Sequence, residues 1–385
     1  MFKTIVSLLM LIIFNYSSAI DGKIIQSKDQ ALQDKWFKTL GKTVPKLNLA
    51  SSVFKNQEIY FGVAIQDYAS DKKGVSKVKY TLKIINPHGE IYIQKKDLSA
   101  IDAEIENKTF VQLSDENLQM AFGFDDAFGN YDILVEITDE VSGEKKQLIS
   151  NLKLEVLPPY NSFGISKKET FTEWMSNYRM DPEPEKALLY FSLFSQSELI
   201  KNDESLLPAL SFFSEIFSTN KYLFASFPEV YEKADDITKK MLALLAYQSL
   251  GEKIFKNYIK EPEILKMVRN FAVIDPYSEI NSGVQMDMLW SKYGASSRQR
   301  PILQIITALE YSKYSGSVEK FKRSKKVEDK DNALKEILFQ TAVWSLESHF
   351  KTDPLVLNYA NYILAYEDIS EIQKKELGKI LGKFN

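Results

Sequence analysis

The strongest constraint on the fold of this chain is a change of hydrophobic periodicity at Leu157-Pro158-Pro159. Before this point, apolar residues alternate with polar ones, and Gly, Asn and Asp separate short runs, which is typical of β-strands. After it, apolar residues recur every three or four positions to the end of the chain, which is the helical period. The sequence therefore predicts a multidomain chain in which a β module precedes an all-α module, joined by a stiff Pro-Pro connector.

The composition is that of a folded protein. The 385 residues suffice for two ordinary domains, each with its own core. Hydrophobic residues make up 44% and charged residues 26% of the chain, which excludes a mostly disordered protein. The net charge of -3 argues against a nucleic-acid partner. A basic run at Lys320–Lys326 is followed at once by Glu328, Asp329 and Asp331, and we interpret it as a solvated loop.

Residues 1–19 have the features of a secretory signal peptide. Lys3 supplies the positive charge, a short apolar stretch follows, and Ser17 and Ala19 suit a cleavage site. We therefore expect a mature chain from Ile20 that is exported to the periplasm or outside the cell. An uncleaved N-terminal anchor is the alternative. No later segment is apolar enough to be a transmembrane helix.

The chain contains no cysteine. This excludes disulfides, a thiolate nucleophile, a cysteine zinc site and a lipid-anchoring cysteine. A chain that is exported, rich in lysine and free of cysteine is typical of a bacterial envelope or secreted protein.

The β module is predicted over residues 20–157, with a short amphipathic lead-in helix over Asp29–Leu40. Alternation of apolar and polar residues is clearest over Val78–Ile84 and Tyr131–Ile137. Asn86-Pro87-His88-Gly89 predicts a hairpin turn, because Pro fixes φ and Gly permits positive φ. The spacing of strands and turns predicts an antiparallel β-sandwich.

One hairpin carries a family resemblance. Gly129-x-Tyr131-x-Ile133-x-Val135-x-Ile137, followed by Asp139 and Ser142-Gly143, resembles the penultimate hairpin of immunoglobulin or fibronectin-III-like modules in bacterial secreted proteins. Tyr131 occupies the place of a tyrosine-corner residue in that family. The resemblance implies an Ig-like β-sandwich that spaces, docks or binds, and it assigns no chemistry.

The α-helical module is predicted over residues 166–385, after a linker at residues 158–165. Asp181-Pro182 predicts a helix start and Gly251 a helix stop. No residue pattern recurs at a fixed period, so the module resembles tetratricopeptide or HEAT-like domains only in architecture. The sequence predicts either an array of helical hairpins or a compact bundle. Asp287–Trp290 and Ala342–Leu346 resemble segments of a bacterial secreted family that has no known activity.

Catalytic signatures are missing from the sequence. The two histidines, His88 and His349, have no partner at metal-ligand spacing, and no nucleotide-binding or serine-nucleophile motif is present. We therefore predict no catalytic residues, no metal and no cofactor. Catalysis by a carboxylate pair needs no motif and remains open, although the sequence leans against an enzyme. The candidate acids are Glu173, Asp181, Glu183, Asp287 and Glu310.

Aromatic residues of the helical module are the candidate binding site. They could line a peptide groove, although aromatic residues at helical spacing are more often core. The candidates are Trp290, Tyr293, Tyr311, Tyr314 and Trp344. Two weaker alternatives lie in the β module. Tyr60, Tyr68 and Tyr92 could stack on sugars, and Asp125, Asp126 and Asn130 could bind calcium or form a solvated turn.

The leading functional prediction is an exported bacterial envelope protein that binds or scaffolds without catalysis. It would contact a protein or peptide partner through the helical domain. One alternative is a carbohydrate-binding or carboxylate-dependent glycan-cleaving protein, and the other is a purely structural envelope component.

Overall fold

The computed structural model describes residues 19–38, 46–105, 111–163, 171–271 and 274–384. The predicted signal peptide lies outside these ranges, except for residue 19. Parts of the predicted lead-in helix and of the 158–165 linker also lie outside them. The order of modules predicted from periodicity is confirmed. Two β-sheets are built from strands between residues 21 and 155, and a helical region follows them.

The strands form a four-stranded and a five-stranded sheet. The strands are β1 (Asp21–Ser27), β2 (Ser52–Phe54), β3 (Glu58–Gln66), β4 (Val75–Ile85), β5 (Ile91–Glu104), β6 (Gln112–Leu113), β7 (Leu118–Ala121), β8 (Gly129–Asp139) and β9 (Lys145–Glu155). The first sheet has the order β1–β3–β6, with β7 also paired to β3, and the second has the order β2–β9–β8–β4–β5. β2 pairs with β9 in parallel, so the predicted antiparallel arrangement does not extend to that strand.

The helices follow the strands, except for the first. They are α1 (Leu32–Phe37), α2 (Phe171–Asn177), α3 (Ala187–Ser195), α4 (Asp203–Thr219), α5 (Phe227–Lys233), α6 (Asp236–Tyr258), α7 (Pro262–Asn270), α8 (Gly283–Ser296), α9 (Arg300–Thr307), α10 (Ser317–Ser324), α11 (Val327–Thr352), α12 (Pro354–Tyr366) and α13 (Glu371–Leu381). No helix among the described residues is both long and apolar enough to cross a membrane.

The chain divides into two compact units that are not continuous in sequence. The first holds residues up to Gln26, together with Phe61–Leu118 and Gly129–Leu152. The second holds Ser27–Tyr60, Gln119–Phe128 and the chain from Lys153 onward. The second unit therefore includes α1 and β2 as well as the helices of the C-terminal region.

In the first unit, β4 and β8 show the predicted alternation. β4 pairs antiparallel with β8, with Tyr80 opposite Ile137, and the apolar residues of both strands are buried. The predicted hairpin turn joins β4 to β5, where Gly89 adopts φ +82° and donates its N–H to the Asn86 carbonyl at 2.9 Å. β3 differs from these strands, because Phe61–Gln66 is buried on both faces and not on one.

In the second unit, the apolar core forms two clusters. One lies around α2–α6 and is rich in aromatic rings, including Trp174 and Phe213. The other lies around α8, α9 and α11–α13. Gly251 has φ +73° and breaks α6 as predicted. The predicted helix start at Asp181-Pro182 is wrong, since α3 begins at Ala187 after a 3-10 turn.

The basic run lies on α10 and in the connection to α11, and not wholly in a loop. Lys320 pairs with Asp329 at 2.7 Å, and Lys322 pairs with Glu319 at 2.7 Å. These pairs offset much of the positive charge, so the run has no strong basic surplus.

Glu336 on α11 holds the N-terminal end of α10. Its carboxylate accepts the backbone N–H of Gly316 at 3.0 Å and of Val318 at 2.7 Å. These two hydrogen bonds hold the pKa of Glu336 below its ordinary 4.5. The folded state therefore binds a proton less readily than the unfolded chain at this residue.

The stabilising effect of Glu336 should therefore depend on pH. It is fully present above pH 4.5, the ordinary pKa, and it is lost as the pH falls through the lower folded-state value. We expect Glu336→Gln to cost about 1–3 kcal/mol near neutral pH and to flatten the acid limb of stability. Urea unfolding of both proteins across this pH range measures the difference. A parallel loss in the two proteins at acid pH would contradict the assignment.

Candidate functional site

A cavity of about 370 Å³ opens within the second unit. It is lined by residues of α2, α4, α8 and α11, and by Arg179 and Asp353 in the connections that follow α2 and α11. We call it the Trp290 cavity. The lining of the cavity is apolar at Met175 and Phe212. It is polar at the hydroxyls of Ser176 and other Ser and Thr residues. Such a mixture suits a side chain or small ring with an apolar face and a polar edge.

The indole of Trp290 forms one wall of this cavity by stacking on His349. The ring centroids are 3.6 Å apart and the planes differ by 5°. His349 Nδ1 lies 2.9 Å from the Ser345 carbonyl. Because a carbonyl only accepts, Nδ1 is the donor of this hydrogen bond. The indole N–H of Trp290 has no hydrogen-bond partner among the described residues, which leaves an unsatisfied donor beside the cavity.

Two residues that line the cavity, Arg179 and Asp353, form an ion pair. Arg179 Nη2 donates to Asp353 Oδ2 at 2.8 Å, and the Tyr293 hydroxyl donates to the same oxygen at 2.7 Å. Burial, together with the nearby Asp353 carboxylate, raises the pKa of Tyr293 well above its usual value, although Arg179 opposes this. Tyr293 therefore remains a donor. Asp353 also caps α12, since its Oδ1 accepts the Leu355 N–H at 3.1 Å.

An apolar stripe runs along the exposed face of α11. It consists of Val327, Leu334, Ile337 and Trp344, and Trp344 is 70% exposed. The opposite face of the same helix is buried through residues such as Leu346 and Phe350. We call this set the α11 stripe. Thr352, which lines the Trp290 cavity, lies about five helical turns after Leu334 and therefore on the same face. The stripe thus leads along α11 to the cavity.

The five predicted groove residues occupy different surroundings. Trp290 and Tyr293 line the Trp290 cavity, and Trp344 belongs to the α11 stripe. Tyr311 is buried, and its hydroxyl donates to the Ile280 carbonyl at 2.9 Å. Tyr314 is half-buried beside it, with ring centroids 6.3 Å apart. The aromatic rings of the helical module therefore divide between a cavity, an exposed stripe and the core.

The candidate acids are spread over several elements. Glu173 lies on α2, Asp287 on α8 and Glu310 in the 3-10 segment after α9. Glu183 pairs with Lys186 at 2.7 Å. Burial and the nearby Glu204 carboxylate raise the pKa of Asp287.

The weaker candidates of the β module are local features. Tyr68 is buried, which removes it from a sugar-stacking face, and Tyr60 donates its hydroxyl to Glu58 at 3.1 Å. Asp126 accepts the Gly123 N–H at 2.6 Å, as in a local turn. In the ranges that the structure describes, no group of three or more His, Asp or Glu side chains could hold a metal ion.

Sequence reasoning missed Arg179, Asp353 and the pairing of His349 with Trp290. Asp353 could have been found, because Asp353-Pro354 carries the same helix-start signal as Asp181-Pro182. The ion pair and the stack join residues that are far apart in sequence. No local pattern marks such contacts.

No protein-family model matches the chain, and no curated protein matches it. Several solved structures, including the following two, are similar over parts of the chain. One is a family 123 glycoside hydrolase from Clostridium perfringens, with 13% identity and a TM-score of 0.23. The match covers 43% of this chain and 33% of the hydrolase, so the chain spans about a third of that protein's length.

The other solved structure is a Niemann-Pick type C2 protein from the Japanese carpenter ant. It has 13% identity and a TM-score of 0.22, and the match covers 34% of this chain and 89% of that one. These scores are too low to indicate a shared fold, so neither protein bears on the function.

Proposed function

We propose that this protein is an exported envelope protein that docks a helical segment of a protein partner on α11. The observation that carries the proposal is the α11 stripe. Exposed apolar patches rimmed by polar residues mark interaction sites, and this row of large apolar side chains lies on an otherwise polar helix face. Aromatic residues such as Trp344 also supply much of the affinity of protein interfaces.

The spacing of the stripe favours a helical partner. Val327, Leu334, Ile337 and Trp344 follow one another at intervals of seven, three and seven residues. This is the heptad spacing of a coiled-coil seam, in which the side chains of one helix enter the gaps of another. α11 has 26 residues and is about 39 Å long at 1.5 Å per residue. It therefore offers enough length for several turns of a partner helix.

The Trp290 cavity extends this surface at the C-terminal end of α11. A partner helix on the stripe would bring its terminal side chains to Thr352 and His349, which line the cavity. An apolar side chain with a polar edge would contact Met175 and the Trp290 side chain, which both line the cavity. The cavity would thus fix the position of a partner that the stripe holds.

The finer architecture belongs to the same proposal. We propose that the two sheets form an Ig-like β-sandwich, supported by the buried Tyr131 and the alternation of β8. For the helices we favour a compact bundle over a regular array, because α4 packs on both α6 and α8 although these are far apart in sequence. The β-sandwich would space or orient the docking surface in the envelope.

Replacing Trp344 with alanine should weaken partner binding at least tenfold. An interface tryptophan contributes about 2 kcal/mol or more, and about 1.4 kcal/mol changes affinity tenfold. Tyr366→Ala is the matched control, because Tyr366 is an aromatic residue of the same unit with 67% exposure and lies outside the stripe. The measurement is retention of a stoichiometric partner from the envelope fraction, with cross-linking from a photoreactive group at position 337.

Three outcomes would overturn the proposal. Equal retention by both variants would mean that the partner binds elsewhere. Glycan binding without any protein partner would favour the carbohydrate-binding alternative. Self-association of the purified chain that Trp344→Ala abolishes would make a second copy the occupant of the stripe.

A further inference from the structure

A second cavity in the second unit, of about 110 Å³, has a polar lining. It lies where the segment Ser27–Tyr60 meets the residues before α3 and the C-terminal ends of α4 and α8. We call it the Lys28 cavity. A cavity needs a volume of roughly 10–15 Å³ to hold one water molecule, so this cavity has room for a ligand of several heavy atoms.

Most of the charges around the Lys28 cavity are already paired. Asp29 and Lys35 form a buried ion pair with each other. Arg179 pairs with Asp353, as in the Trp290 cavity. Lys28 and Glu185 remain, and no ion pair within 4.0 Å joins them to each other or to another described residue. The cavity therefore carries one positive and one negative charge that are separate and unpaired.

Lys28 is held in place by its backbone and not by its charge. Its N–H donates to the Asn48 carbonyl at 3.1 Å, which fixes the residue at the cavity. Its ammonium lies 5.6 Å from the centroid of the Phe54 ring and has no hydrogen-bond partner in the described ranges. Burial lowers the pKa of Lys28, while Glu185 and Glu155 oppose this effect. A partly buried ammonium without an acceptor favours binding of an anionic group.

Tyr178 adds an unsatisfied donor to the same cavity. It is only 3% exposed, and its ring packs edge-on against Trp174 and Phe212. Its hydroxyl has no hydrogen-bond partner among the residues described. Burial and the nearby Glu185 carboxylate raise the pKa of Tyr178 well above its usual value, so the hydroxyl stays protonated. Because Tyr178 lines the cavity, this hydroxyl is available to donate a hydrogen bond to a ligand there.

Glu185 is oriented by a chain of hydrogen bonds. Gln57 Nε2 donates to the Tyr222 hydroxyl at 3.0 Å, and this hydroxyl donates to Glu185 Oε1 at 2.8 Å. Burial raises the pKa of Tyr222 well above its usual value, which keeps it a donor. The chain fixes one carboxylate oxygen and leaves Oε2 free to accept from a cationic ligand group.

From this arrangement we propose that the Lys28 cavity binds a small zwitterion of the size of a free α-amino acid. The ligand carboxylate accepts hydrogen bonds from Lys28 and Tyr178. The ligand ammonium donates to Glu185. A ligand with both charges satisfies the ammonium, the hydroxyl and the carboxylate together, whereas a simple anion or cation leaves one charge unmet. The site is separate from the α11 stripe and does not depend on its function.

The test is calorimetric titration of the full chain with glycine, L-alanine, acetate and methylammonium. Glycine or alanine should bind, and acetate and methylammonium should bind at least tenfold more weakly. Lys28→Met and Glu185→Gln should each weaken amino-acid binding at least tenfold, and Tyr178→Phe, which keeps the ring, should weaken it several-fold. Lys55→Met, at a lysine that does not line the cavity, is the matched control and should leave binding unchanged.

Several results would overturn the proposal. No heat from either amino acid would mean that the cavity holds only solvent. Acetate binding as tight as glycine binding, dependent on Lys28 but not on Glu185, would define an anion site instead. Trp344→Ala is expected to leave glycine binding unchanged, because Trp344 does not line the Lys28 cavity. Failure of partner docking and failure of amino-acid binding can therefore be distinguished. Circular dichroism of each variant verifies folding, and Tyr178→Phe keeps the test decisive where a charge change unfolds the chain.

Discussion

Replacing Asp353 with alanine should lower the free energy of unfolding by about 3–5 kcal/mol. The substitution removes the acceptor of the Arg179 and Tyr293 donors and the N-cap of α12 in one step. The half-buried Arg179 guanidinium would then lack its charged partner, and an uncompensated charge away from bulk water is among the most destabilising defects in a protein. Asp353→Asn keeps an acceptor oxygen but loses the negative charge, so we expect an intermediate decrease in the free energy of unfolding.

Asp235→Ala provides the matched control for Asp353→Ala. Asp235 also caps a helix, since its carboxylate accepts the Thr238 N–H at 2.7 Å, but no arginine depends on it. Its loss should cost much less than the loss of Asp353, because it removes a helix cap and no ion pair with an arginine. Denaturant unfolding followed by the helical circular dichroism signal measures all three variants. Equal losses for Asp353→Ala and Asp235→Ala would show that the ion pair with Arg179 adds nothing to stability.

The second large effect is expected from Phe213→Ala, at about 3–5 kcal/mol. Phe213 is fully buried on α4. Its ring lies 4.9 Å from Phe191, edge to face, and 5.9 Å from Trp174, stacked. Removing it leaves a cavity that several rigid rings cannot fill, and it also removes the aromatic pair energies.

The control for Phe213→Ala is Phe124→Ala, the same substitution at a residue with 78% exposure in the same unit. Its effect should stay within about 0.5 kcal/mol. Thermal unfolding should therefore separate the two variants by several degrees. A shift for Phe213→Ala no larger than that for Phe124→Ala would mean that the aromatic cluster repacks around the missing ring.

The elements that could be predicted from the sequence are those with one buried face. β4 and β8 alternate because one side of each strand is solvated, and their burial repeats every second residue. Gly89 and Gly251 were predictable because positive φ at a turn or helix break favours glycine. The burial of both faces of β3 could not be predicted, because a strand buried on both faces gives no alternation of apolar and polar residues.

The candidate site was predictable only in part. The helical period identifies the two faces of α11, but both faces carry large apolar residues. Composition alone cannot say that Leu338 is buried while Trp344 is exposed. The positions of Tyr293 and Tyr311 depend on polar groups that are distant in sequence, the Asp353 carboxylate and the Ile280 backbone carbonyl. No sequence pattern near Lys28 predicts its cavity. The cavity is completed by residues before α3 and at the C-terminal ends of α4 and α8, which lie far along the chain.

The segment Ser27–Tyr60 has a consequence for the order in which the chain acquires structure during synthesis. Gln30 donates to the Thr219 carbonyl and Lys38 donates to Gln299, across 189 and 261 residues of chain. The segment leaves the ribosome early, and its partners leave it much later. These two contacts cannot form until residues 219 and 299 have been synthesised, and contacts of such long range form late. For much of its synthesis the nascent chain therefore holds the segment Ser27–Tyr60 without these later partners.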